Sequence, residues 1–205
     1  MKHPHNIQEL IEHNPDFVGF IFYAKSLRFV ETQCIASLPE TTKKIGVFVN
    51  ETVEKILEIA KKYNLDGIQL HGKETPEDCK QIQEKGFLTI KAFNVENEQD
   101  FEQTKVYEGV VDFFLFDTKT SPLNPPQGDL KHGGTGVKFD WHILKHYNGN
   151  TPFFLSGGIC EDDAKEIKNL NLPKLYAVDI NSRFEIESGL KDIEKIKRFI
   201  KHLRN

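Results

Sequence analysis

Apolar residues in this chain gather in short runs that recur at a regular spacing. Seven runs read as strands: Phe17–Tyr23, Lys44–Val49, Gly67–His71, Phe87–Phe93, Val111–Phe116, Pro152–Ser156 and Leu175–Ile180. Each is mostly apolar on both faces and rich in Val, Ile or Phe, as strands of a helix-covered parallel sheet are. The stretches between them follow a helical period instead. Glu51–Tyr63 places Val53, Ile56, Leu57 and Ala60 on one face, and Thr75–Lys85 opens with an N-cap threonine followed by proline. Glu161–Leu170 and Lys191–Leu203 are amphipathic; in the second, Ile193, Ile196, Ile200 and Leu203 form the apolar stripe.

One strand and one helix in about every 25 residues predicts a (β/α)8 TIM barrel. No linker or break in composition divides the chain, so residues 1–205 read as one domain. The stretch Thr118–Lys138, with three prolines and four glycines, reads as a functional loop. The strand count falls one short. The chain opens on a helix, His5–His13, and seven strands follow where eight close such a barrel. The expectation is therefore a barrel whose first strand is missing from this chain.

Composition narrows the function classes. A net charge of −4 without a dense Lys/Arg cluster argues against nucleic acid as a partner. No apolar stretch approaches the ~20 residues that span a bilayer, and no signal peptide is visible at Met1-Lys2-His3-Pro4. The three cysteines, Cys34, Cys79 and Cys160, are scattered and odd in number, which fits a reducing cytoplasm better than a disulfide framework.

Candidate chemistry lies where strands end and loops begin. Asp117 ends the run Val110–Phe116 and opens the long loop, a placement suited to an acid catalyst. Arg28 follows the first run and could hold a carboxylate or phosphate through paired hydrogen bonds; taken alone it reads more simply as an exposed loop arginine. His71 ends its strand as an acid, base or hydrogen-bond donor, or equally as a structural histidine. Ser156-Gly157-Gly158 leads into a helix and offers backbone N–H groups to a phosphate, a site that Asn181-Ser182 could complete. Gly133-Gly134-Thr135-Gly136 is a second candidate, explained nearly as well by a flexible loop. His142 and His146, four apart on a helix, suit a surface pair better than a metal, since no third ligand is evident. Cys34 and Cys79 read as buried fillers; Cys160, at a helix N-terminus, is a remote candidate for a reactive thiol.

Together these segments resemble phosphoribosylanthranilate isomerase of tryptophan biosynthesis. The likeness runs through Val18–Tyr23 with Lys25-Ser26-Leu27-Arg28, Gly46–Asn50, Asp66–Gly72 and Phe116–Lys119. It continues through Gly133–Gly136 with Phe139-Asp140-Trp141, Leu155–Gly158 and Ala177–Asp179. The resemblance implies an Amadori rearrangement of N-(5-phosphoribosyl)anthranilate to 1-(2-carboxyphenylamino)-1-deoxyribulose 5-phosphate, without cofactor or metal. It implies Asp117 as the general acid, which must hold a proton near neutral pH, and Arg28 as the clamp for the anthranilate carboxylate. It places Gly134, Gly157, Gly158, Asn181 and Ser182 against the substrate, and His71 and Asp179 in the pocket wall. The implied partner is a small phosphorylated substrate; a monomer or homodimer is expected.

Two features depart from the family. Its leading strand ends in Cys-Gly, the cysteine being the general base, and Met1 corresponds to the position just after that pair. Asn181-Ser182-Arg183-Phe184-Glu185 stands where relatives have Ser-Ser-Gly-Val-Glu, and Arg183 could face the phosphate or solvent. One expectation is an isomerase whose start was assigned at an internal Met, with upstream codons encoding the strand. A second is a truncated barrel that only binds phosphorylated ligands. A third, another phosphate-binding barrel enzyme, lacks its marks: a catalytic Lys with paired Glu, or metal-ligating His and Asp at several strand ends.

Overall fold

Seven parallel strands form one sheet: β1 (Phe17–Ile21), β2 (Lys43–Phe48), β3 (Gly67–Leu70), β4 (Leu88–Val95), β5 (Phe113–Thr118), β6 (Phe153–Leu155) and β7 (Leu175–Val178). Each pairs in parallel with the next in chain order. The computed structural model describes residues 1–30, 38–39, 41–118 and 140–204. Gly133–Gly136, most of the Thr118–Lys138 loop and Cys34 lie outside them.

The strands are apolar on both faces because both faces are covered. Outward residues such as Phe20, Phe48, Phe93, Phe114 and Phe153 pack beneath the helices in the main core. Inward residues Ile45, Ile90, Ala92, Leu115 and Phe154 make a second cluster, joined by Phe17, Phe113 and Ala177. The covering helices are α1 (Pro4–Ile11), α2 (Val53–Tyr63), α3 (Pro76–Gln83), α4 (Ala164–Asn169) and α5 (Ile193–Arg204). Thr75 caps α3 in a capping box with Asp78, and α2 ends on Asn64 in the left-handed conformation.

Two connections differ from the expected helices, and a third, Glu98–Tyr107, carries one the sequence analysis did not mark. Glu98–Tyr107 is a 3-10 helix that buries Phe101 and Thr104, three residues apart as that helix repeats. Trp141–His146 is also 3-10, so His142 and His146 do not share a face. His142 pairs instead with Asp140 (3.1 Å) and His146 with Glu98 (3.0 Å). The expected Glu161–Leu170 helix divides into a 3-10 turn, Glu161–Asp163, and α4. A short antiparallel hairpin, β8 (Glu185–Glu187) and β9 (Leu190–Lys191), follows β7 and was not foreseen.

The sheet is curled. Among the described residues β1 is laddered to β2 alone and β7 to β6 alone; the other edge of β1 carries one isolated bridge, Ile21 to Phe29, and the Met1 amine on Gly19 O (3.2 Å). Yet the Phe17 ring on β1 lies 5.1 Å from Phe154 on β6 and 6.3 Å from Tyr176 on β7. Aromatic side chains thus reach across the open side at its lower rim, where no backbone ladder among the described residues joins the two edges.

Candidate active site

Polar side chains occupy the inward face at the strand ends. Gln69 comes from β3 and His71 directly follows it, Asn94 comes from β4 and Asp117 from β5, with Asn94 and Asp117 partners in register. Ladder-like hydrogen bonds continue past the strands: His71 N to Phe48 O (2.9 Å), Ser156 N to Phe116 O (2.8 Å) and Asp179 N to Leu155 O (2.8 Å). Residues 71, 156 and 179 are therefore held on the sheet's own register.

Asp117 is 5 % exposed, and its Oδ2 lies 3.6 Å from His71 Nε2. The Gln69 amide donates to His71 Nδ1 (3.0 Å), which leaves the ring proton on Nε2, facing Asp117. Burial, aided by the Lys91 charge, pulls His71 down to about 3. The contact is thus a neutral imidazole beside a carboxyl group, not a salt bridge. Behind it, Lys91 Nζ donates to Leu70 O (3.1 Å), Gly72 O (2.8 Å) and Glu74 Oε2 (3.1 Å). Glu74 accepts in turn from the N–H groups of Asn50 (2.7 Å) and Gly72 (2.9 Å). A Cβ on Gly72 would sit 2.5 Å from Asn50 Oδ1, so glycine is required there.

Arg28 is buried, and two of its nitrogens are already engaged. Nε donates to Glu185 Oε1 (3.0 Å) and Oε2 (2.8 Å), and Nη2 to Oε2 (2.6 Å). Lys191 Nζ lies 3.2 Å from Glu185 Oε1 and donates to Asn181 Oδ1 (2.8 Å) and O (3.1 Å). Burial pushes the Glu185 carboxyl up, but the Arg28 hydrogen bonds and the Lys191 charge outweigh it and hold the group below its ordinary value. Burial lowers Lys191, against the pull of Glu185. Asp179 is half-buried; burial raises it, opposed by Lys191 and by the Ser156 hydroxyl, which donates at 3.1 Å.

Gly157 (φ 92°) and Gly158 (φ 66°) both take left-handed backbone that side chains resist. They share one cavity of about 1140 Å³ with Arg28, His71, Asp117, Asp179, Asn181 and Ser182. The cavity extends down the open side past Phe17 and Tyr176. Every predicted site residue within the described segments therefore opens onto one space; Gly134 lies outside them. Arg183 is exposed, and its carbonyl accepts from Lys195 (3.0 Å). Cys79 is buried, which pushes its thiol up to about 12, while Cys160 is half-buried at the Glu161–Asp163 turn. Sequence reasoning missed Glu185, Lys191 and Asn94, whose Oδ1 is buried with no hydrogen-bond partner among the described residues. No helix among the described residues is long and apolar enough to cross a membrane.

Known proteins resemble this chain along nearly its whole length. The family model described as N-(5'phosphoribosyl)anthranilate (PRA) isomerase matches residues 1–202. The N-(5'-phosphoribosyl)anthranilate isomerase of Parabacteroides distasonis is 47 % identical, over 99 % of this chain and 90 % of its own length. That of Phocaeicola vulgatus is 40 % identical, over 100 % of this chain and 95 % of its own. Among solved structures, the Thermotoga maritima phosphoribosyl anthranilate isomerase superposes with TM-score 0.84 at 34 % identity, covering 100 % of this chain and 95 % of its own. The chain belongs to the N-(5'-phosphoribosyl)anthranilate isomerase family.

Proposed function

We propose that the protein converts N-(5-phosphoribosyl)anthranilate to 1-(2-carboxyphenylamino)-1-deoxyribulose 5-phosphate in tryptophan biosynthesis. The observation that carries this reading is the single cavity in which buried Asp117 meets Arg28 and the Gly157-Gly158 turn. A solved isomerase with TM-score 0.80 and 32 % identity holds reduced 1-(o-carboxyphenylamino)-1-deoxyribulose 5-phosphate, a ligand with a carboxylate at one end and a phosphate at the other.

In this reading Arg28 holds the aryl carboxylate, and Gly157, Gly158, Asn181 and Ser182 hold the phosphate. Gly134 closes on the substrate from the long loop, and His71 and Asp179 border the sugar. Asp117 gives its proton to the ribose ring oxygen as the C1–O bond breaks. The nitrogen lone pair forms the C1=N bond, and the resulting iminium accepts the electrons released when a base removes the C2 proton. The enol then tautomerises to the ketone. The iminium is the electron sink, so no cofactor takes part.

The base belongs to a strand between β1 and β7. Among the described residues neither edge there is laddered to a further strand, the cavity opens through the gap, and Phe17 spans its lower rim to Phe154. An eighth strand in that slot would close a (β/α)8 barrel and bring the family's cysteine to the mouth. We read residues 1–205 as one domain of this barrel, working in the cytoplasm as a monomer or homodimer; a Thermotoga maritima neighbour with TM-score 0.79 is described as monomers generated from a dimeric isomerase.

The test is isomerisation followed by loss of anthranilate fluorescence, with the chain extended by a Cys-Gly-ending strand. Turnover is expected, and Asp117→Asn should lower kcat about 10²–10⁴-fold, the usual contribution of a positioned acid. Absence of turnover in the extended chain would refute the proposal.

A further inference from the structure

Glu185 does not line the cavity, yet it holds two cations that do, Arg28 and Lys191. Its side chain is only 4 % exposed, and it accepts from Arg28 in a fork, a geometry that fixes a guanidinium in position as well as in charge. Nε and Nη2 are consumed by that fork, and Nη1 makes no hydrogen bond among the described residues.

The anchor behind Glu185 is equally specific. Gly189 N donates to its Oε1 (3.2 Å), closing the β8–β9 hairpin over the carboxylate. The Asn6 side chain on α1 brackets the Lys191 backbone, accepting from its N–H (2.7 Å) and donating to its carbonyl (2.9 Å), both buried. Lys191 Nζ then spans from Glu185 to Asn181. A continuous chain of bonds thus runs from α1 through Lys191 to Glu185, and from there to the Arg28 wall and the Asn181 turn.

We propose that Glu185 is a positioning residue for the carboxylate end of the substrate: it locks Arg28 through two nitrogens, presents Nη1 to the ligand, and through Lys191 fixes Arg28 relative to the Asn181 turn. The proposal rests on the reading of Arg28 as the carboxylate clamp. It adds that ligand selectivity is set by a residue behind the cavity wall, on a hairpin that carries no reacting group.

The experiment measures binding, by calorimetric titration, of two ligands: the reduced product analogue bearing the 2-carboxyphenylamino group, and its phenylamino counterpart without the carboxylate. The native chain should prefer the first, and Arg28→Met should abolish that preference. Glu185→Asp keeps the charge but draws the carboxylate back by about 1.5 Å, one C–C bond. It should cut the preference about 10-fold while leaving the phenylamino ligand within about 2-fold, since displacements of that size defeat positioned contacts. A native preference retained in Glu185→Asp but lost in Arg28→Met overturns the positioning role and leaves the clamp standing. Equal weakening of both ligands in Glu185→Asp makes Glu185 merely structural and also overturns it. No preference in the native chain, or one that survives Arg28→Met, removes the clamp reading itself.

Discussion

His71 is neutral because burial denies it a charge that an unfolded chain would carry below about pH 6.5. Its folded value of about 3 lies below the unfolded one, so unfolding takes up a proton between those limits. Stability is therefore fully present above about pH 6.5 and falls as the pH drops toward 3. From pH 7 to pH 5 this group alone should remove about 2 kcal/mol. Urea unfolding of His71→Asn should show that much less loss over the same interval; an identical pH dependence in the two proteins would show that His71 does not carry it. Asp117, His71, Arg28 and the Gly157-Gly158 pair were legible in the sequence because strand ends announce themselves as polar or glycine residues after apolar runs. The partner that occupies Arg28 was not. Glu185 lies 157 positions away in a hairpin strand of three residues, too short for any periodicity to show. Asn94 directly follows the expected run Phe87–Phe93, so the same signal could have found it; the structure extends β4 past it and pairs it in register with Asp117.

At the scale of the element, strands were located within a few residues because their two-sided apolar runs stop abruptly. Helix type was less legible. Glu98–Tyr107 buries little beyond Phe101 and Thr104, and that sparse stripe repeats at three rather than 3.6. The Asn97/Asp100 capping box that starts it was present in the sequence, in a segment with too little apolar pattern to invite the search. Where cap and stripe agreed, the expectation held, as in α3. Thr75 Oγ1 accepts from Asp78 N (3.2 Å) and donates to Asp78 Oδ2 (2.7 Å). Thr75→Ala should cost about 1 kcal/mol in denaturant unfolding, and Thr75→Ser should restore most of it. Equal stability of all three proteins would mean the cap contributes nothing.

At the scale of the molecule, the run of seven strands foretold the curled parallel sheet, while the missing first strand belongs to the proposal. The structure adds where the opening lies and how its lower rim is bridged, by Phe17 against Phe154 and Tyr176. If a strand belongs there, an extended chain that buries two apolar side chains in the slot should gain about 4 kcal/mol. At about 2–4 °C per kcal/mol, the midpoint of thermal unfolding should rise by about 10 °C; an unchanged midpoint would mean the slot is not a strand site. The chain-order pairing of β1 to β7 also bears on how the molecule assembles. Each strand docks on the one made just before it, so the sheet can grow in the order of synthesis, although each pairing must first close a whole crossover. At every stage the nascent sheet presents a fresh edge for the next strand to cover. That growing edge is an unpaired ladder until the next crossover closes, so the risk of aggregation during synthesis travels with it.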